Sequence, residues 1–301
     1  MIRVLATFCF ISSLLILAAP PVTSTDALVS GTGTVPGLTP GDRLVNGAIA
    51  VVVPPPGRGV WGEAILDDGR MAKLGVETSP DGSASVTSWG APDQIGLLVL
   101  PTSPPECDDD AKSTLAFKWA TTYRWYFNAR STPAGLNRRG VETALRNATR
   151  NIVRSANSCN LADRVGATAA YRGRIRRGVQ ITRDGTCKSL GDGRSVTAFG
   201  DLPAGTLGIA CIWYRSGGTA TESDVRLNRA RKWTVRIRDG CVDSWSIEAV
   251  TTHERGHTFG LDHVDELMHG NLTMSPQING PCQKSEARLG RGDVLALRSL
   301  Y

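Results

Sequence analysis

The 301-residue chain has four histidines, all between positions 253 and 269. Three of them stand in the run His253-Glu254-Arg255-Gly256-His257-Thr258-Phe259-Gly260-Leu261-Asp262-His263. On a helix, residues four apart share a face, so His253 and His257 can aim imidazole nitrogens at one metal ion. Glu254, beside the first of them, offers a carboxylate that can take a proton from metal-activated water. A helix running on past His257 would carry the chain away from the metal. Gly260 can adopt a left-handed conformation and turn it back, which delivers His263 as a third ligand. Three neutral imidazoles leave one tetrahedral position open, the donor set of a hydrolytic zinc site and not of a closed structural one. The ordinary alternative is a set of packed or surface histidines. It must also account for Gly260, His263, an export signal and a chain almost empty of other histidines. His269 reads as a loop histidine.

These residues need a helix over 245–258, with Ile247 and Val250 among its buried positions. From Lys118 onward the pattern is α/β. Residues 123–128 form an aromatic strand, and Val141, Leu145, Ala148 and Ile152 follow at the spacing of a helix lying on a sheet. Glu142 stands four residues before Arg146 on that helix, a favourable pair. Residues 179–182, 206–214 and 225–228 read as further strands. Residues 26–105 differ in texture: rich in Gly, Pro, Ser and Thr, they contain strand patterns at 48–53, 60–66, 70–77 and 83–89, with Asp68-Gly69 and Asp81-Gly82 as hairpin signals. They read as a propeptide, a small β-rich accessory region or a partly ordered spacer. Proline density and the run Asp108-Asp109-Asp110 put the boundary near 105.

Composition narrows the setting. Hydrophobic residues make up 41% and charged residues 21%, which is globular, and a net charge of +6 is too weak to imply nucleic acid. The arginines between Arg130 and Arg183 lack the interleaved aromatics of a nucleic-acid binder and read as a solvated face. An apolar run from Val4 to Ala19 follows Arg3 and is shorter than the ~20 residues of a membrane span, so residues 1–25 read as a secretory signal peptide and the remainder as extracellular, with no membrane attachment after its removal. That removal takes Cys9 and leaves Cys107, Cys159, Cys187, Cys211, Cys241 and Cys282, an even set in an exported chain. Pairing neighbours in chain order gives Cys107 with Cys159, Cys187 with Cys211, and Cys241 with Cys282.

The stretch from His253 to His263 resembles the extended zinc motif of the metzincin metalloproteases, and Leu272-Thr273-Met274-Ser275-Pro276 looks like their Met-turn. The resemblance implies that Met274 forms a hydrophobic base under the metal; Met268, the competitor, leaves little chain after His263. Within the metzincins the likeness is to matrixins and covers residues 118–301. It implies an α/β (α+β) zinc protease domain over 106–301, with a twisted mixed sheet and two long helices, preceded by the Gly/Pro-rich region. Thr206-Leu207-Gly208-Ile209-Ala210 resembles their edge strand, so Leu207, Gly208, Ile209 and Ala210 are the expected substrate-binding positions. The implied activity is that of a monomeric endopeptidase with one zinc, acting on protein or peptide substrates through water activated by Glu254. The alternative is an extracellular adhesion protein that keeps zinc on the same scaffold without catalysis. Departures from the pattern are Val264 after the third histidine, Ser275 after Met274, and a long interval from His263 to Met274. No cysteine-switch motif appears in residues 26–105, and Cys107, in an acidic setting, is assigned to a disulfide. Calcium is a family expectation that Asp184, Asp192 and Asp201 could partly serve, but no calcium loop is recognisable.

Overall fold

A computed structural model of the protein describes residues 30–67, 71–90, 103–276, 278 and 280–301. The apolar run Val4 to Ala19 and the Asp68-Gly69 hairpin signal lie outside them. The N-terminal strands are β1 (Ser30–Thr34), β2 (Arg43–Asn46), β3 (Ile49–Val52), β4 (Arg58–Leu66), β5 (Met71–Thr78) and β6 (Ala84–Gly90). Then come β7 (Tyr123–Phe127), α1 (Arg138–Val153), β8 (Ala169–Arg174), β9 (Thr186–Cys187), β10 (Ser195–Gly200), β11 (Thr206–Arg215) and β12 (Thr219–Asn228). Two short strands, β13 (Trp233–Thr234) and β14 (Trp245–Ser246), precede α2 (Ile247–Thr258), α3 (Glu266–His269) and α4 (Arg291–Leu300).

One nine-stranded sheet runs β1-β6-β5-β4-β11-β12-β10-β7-β8. Its N-terminal half is an antiparallel meander, while β12, β10, β7 and β8 pair in parallel. The seam is the antiparallel pairing of β4 with β11, which puts Trp61 opposite Ile212, Glu63 opposite Ala210 and Ile65 opposite Gly208. Side chains alternate across a strand. Accordingly Trp61 and Ile65 join the core under the helices, with Leu145, Ile152, Phe199, Ile247, Val250 and Leu297. Val60 and Ala64 join a second core on the other face, with Ile49, Val51, Ile209, Cys211 and Trp213. A three-stranded sheet, β2-β3-β9, closes that second core. The N-terminal strands are thus built into the main sheet and into both cores.

All three expected cysteine pairs are disulfides: Cys107–Cys159, Cys187–Cys211 and Cys241–Cys282. The helix of the histidine motif starts at Ile247, two residues later than its sequence pattern implies, because Trp245 and Ser246 pair with Trp233 and Thr234. Ser246 then caps it, its Oγ accepting from the Ala249 amide at 3.2 Å. Residues 179–182 form no strand; only Ile181 bridges to Cys187. Glu142 pairs with Arg174 at 2.6 Å and not with Arg146, whose guanidinium lies over the Tyr171 ring.

Candidate metal centre

α2 carries His253 and His257 one turn apart, both fully buried. The helix ends at Phe259, and Gly260 takes φ +87°, where a Cβ would strike the Phe117 carbonyl. Only glycine fits that turn without strain. It returns the chain so that His263 Nε2 lies 2.9 Å from His253 Nε2, which is 3.0 Å from His257 Nε2.

The far ring nitrogens fix the tautomers. His253 Nδ1 donates to the Thr273 carbonyl at 2.8 Å, and His257 Nδ1 donates to the Leu261 carbonyl at 2.9 Å. A carbonyl only accepts, so in both rings Nδ1 carries a proton, and in the neutral imidazole Nε2 then presents a lone pair. The imidazole of His263 is pushed down to about 3, first by burial, so this ring is neutral as well. Lone pairs brought within 3 Å of one another repel unless a cation lies between them. The donor set therefore fits a metal ion, and neutral imidazoles held by backbone carbonyls suit zinc.

Glu254 follows His253, is fully buried, and neither carboxylate oxygen has a hydrogen-bond partner. Burial first, and the charge of Glu63 second, push its carboxyl well above the usual range. Gly208 makes room for it: a Cβ there would come 2.6 Å from Glu254 Oε1. Arg255, also buried, points away from the imidazoles and donates to Tyr123 Oη and Thr197 Oγ1, with its guanidinium over the Trp125 ring at 4.9 Å.

Met274 is 1% exposed and packs on α2 at Gly256, where a Cβ would fall on its Sδ and come 2.9 Å from its Cε. Met268 is 45% exposed and takes no part. The Met274 loop is held by Asp293 at the start of α4, a residue the sequence pattern did not single out. Its buried carboxylate accepts from the amides of Thr273, Met274 and Gly290 at 2.9, 3.1 and 2.9 Å. The Thr273 carbonyl in turn holds His253. His269 stands apart from the cluster, its Nδ1 lying 2.9 Å from Asp109 Oδ2.

Two features depart from the sequence reading. Leu207, Gly208, Ile209 and Ala210 lie on β11, but β11 is no edge strand: β12 covers one side and β4 the other. A fourth donor also stands among the imidazoles. Glu63 Oε1 lies 2.8 Å from His257 Nε2, 3.2 Å from His263 Nε2 and 3.5 Å from His253 Nε2, with the side chain fully buried. A signal for Glu63 exists in the sequence, a lone acid on the same strand face as Trp61 and Ile65. Glu63, His253, His257 and His263 together form a group able to hold a metal ion.

Residues 194–301 match the family model of the matrixin peptidases, Peptidase_M10. Comparison with curated proteins gives no match. The matched segment runs from the start of β10 to the last residue and includes all three buried imidazoles, Glu254, Met274 and Asp293, and it supports placing this chain among the matrixin-like metzincins.

Proposed function

We propose that the chain is an exported zinc endopeptidase, with residues 1–25 removed as a signal, residues 26–105 acting as a propeptide and residues 106–301 carrying the activity. The observation that carries this reading is the convergence of three Nε2 lone pairs, two of them fixed by Nδ1–H bonds to carbonyls. His253, His257 and His263 would hold the zinc, which when bound supplies Lewis acidity for a peptide carbonyl and lowers the pKa of water. Glu254 takes the proton of the attacking water and delivers it to the leaving amine nitrogen. Its burial and lack of hydrogen bonds raise its carboxyl well above the usual range, which favours taking up that proton. The amides and carbonyls of Leu207 to Ala210 would bind an extended peptide once β4 no longer covers them. Export is supported by three disulfides.

The test is zinc content per chain, with cleavage of a mixed peptide library by the full chain before and after limited proteolysis. One zinc with internal cleavage that disappears in a chelator and in Glu254→Gln, while Glu254→Gln still holds zinc, is the expected result. One zinc with no cleavage at any stage of processing would overturn catalysis and favour the non-catalytic adhesion reading.

A further inference from the structure

Glu63 comes from the N-terminal meander, outside the matrixin match. It sits in the middle of a strand whose other helix-side residues are apolar, Trp61 and Ile65. Burying a carboxylate costs several kcal/mol unless a partner compensates it. Its Oε1 lies 2.8–3.5 Å from the three Nε2 atoms, two of them on rings whose Nδ1 protons are bound to carbonyls. A carboxylate pressed on the lone pairs of neutral imidazoles is repelled by them, and a cation shared by all four donors turns the arrangement into an attraction.

A second, independent side chain locks the same strand face. Lys73 pairs with Glu63 across β4 and β5, so it shares that face. Its Nζ lies 2.6 Å from Asp262 Oδ1, which also accepts from the His263 amide at 2.8 Å. Trp61 packs its ring on His257, with centroids 5.1 Å apart. Behind Glu63, Gly62 has no room for a side chain because a Cβ would meet Cys187 Sγ of the Cys187–Cys211 disulfide. The disulfide thus backs the strand at the point where Glu63 projects forward.

We infer that Glu63 is the fourth ligand of the metal centre, and that β4 lies along β11 in the place of a substrate strand, so that the full chain is a self-inhibited form. This rests on the zinc reading above. Glu63 fills the position that water needs for hydrolysis, and β4 uses the backbone groups of β11 from Thr206 to Arg215.

The experiment uses the full chain and metal binding, not turnover. Zinc affinity is measured by competition with a chromogenic chelator for the wild type and Glu63→Gln, and the visible spectrum of the cobalt(II)-loaded proteins is followed as acetohydroxamate is added. The expected result is at least about 10-fold weaker zinc binding in Glu63→Gln. The wild-type cobalt spectrum should ignore acetohydroxamate at concentrations that shift the variant. Equal affinities, or a wild-type cobalt spectrum that shifts as readily as the variant, would overturn the assignment. If Glu63→Gln does not fold, the wild-type cobalt titration alone decides. Failure of the wild type to bind any metal would instead refute the zinc reading itself.

Discussion

Gly256 sits in the middle of α2, between Arg255 and His257, where glycine is ordinarily a liability. Replacing a helix-interior glycine by alanine typically gains about 0.5–1 kcal/mol from propensity alone. The structure reverses that sign. A Cβ at this position would come 2.9 Å from Met274 Cε and closer still to Sδ. Carbon contacts relax at about 3.5–4.0 Å, so Met274 must retreat by roughly 1 Å or more. It has nowhere to go, being 1% exposed and held through its own amide by Asp293. Overpacking of this kind costs about 1–3 kcal/mol, which exceeds the propensity gain. Gly256→Ala is therefore expected to lower the free energy of unfolding by about 1–2 kcal/mol. Because the displaced loop also carries the Thr273 carbonyl that orients His253, zinc affinity should fall about 10-fold as well. Denaturant unfolding and chelator competition measure the two effects. Gly256→Ala combined with Met274→Ala should be more stable than the two single losses added together, since the new methyl enters space the thioether has left. A Gly256→Ala protein as stable as the wild type, or more stable, with unchanged zinc affinity, would show that Met274 does not pack under the metal-binding helix.

Asp293 is raised by burial to about 6 from an ordinary 3.8. The folded chain then holds this proton more tightly than the unfolded chain, so the group's contribution to stability is present below about pH 4 and is lost as pH climbs through about 6. The loss is roughly 3 kcal/mol in all. Asp293→Asn, which cannot ionise, should lack that step in unfolding free energy against pH, and an unchanged profile would contradict the account. Arg255 is a buried guanidinium held by two hydroxyls and two aromatic faces, with no carboxylate among the described residues bonded to it. Arg255→Lys keeps the charge and loses the planar fork, and should cost about 2–3 kcal/mol in thermal unfolding, more than Arg255→Met, which removes the buried charge altogether; the opposite order would refute the reasoning.

What could be read in the sequence was local. The stripe Val141, Leu145, Ala148, Ile152 gives α1, and the spacing of His253, His257 and His263 with Gly260 gives the imidazole cluster, because each depends on near neighbours in the chain. β8 was hidden because Ala-Ala-Tyr-Arg-Gly-Arg is half-exposed at the sheet edge and shows no alternation. β10 was hidden because its residues are all buried and the period-2 signal vanishes. Asp293 could not be foreseen as the support of the Met274 loop, since the Thr273 and Met274 amides it accepts from lie on a different element. The largest error concerned β11. Its apolar run is plain in the sequence, but which strand lies beside it is a pairing between distant residues, and the expected open edge is closed by β4.

That closure shapes what release of the site would involve. β4 cannot leave β11 as an isolated strand, because Val60 and Ala64 on its outer face belong to a core shared with Ile209, Cys211 and Trp213. Departure would uncover apolar surface on both sides and leave β11 as a bare edge, which attracts other strands. Opposing this attachment are the buried charges of Glu63 and Lys73. Lys73 is matched by Asp262, whereas Glu63 faces the imidazoles, where a bound cation would match it. Metal binding and β4 docking are then the two halves of one linkage. A 10-fold change in metal affinity on altering Glu63 equals about 1.4 kcal/mol by which the metal tightens β4 in return. On this argument the metal that arms the site also fastens the strand that closes it, so opening must come from cutting or displacing the N-terminal segment and not from a change in metal supply.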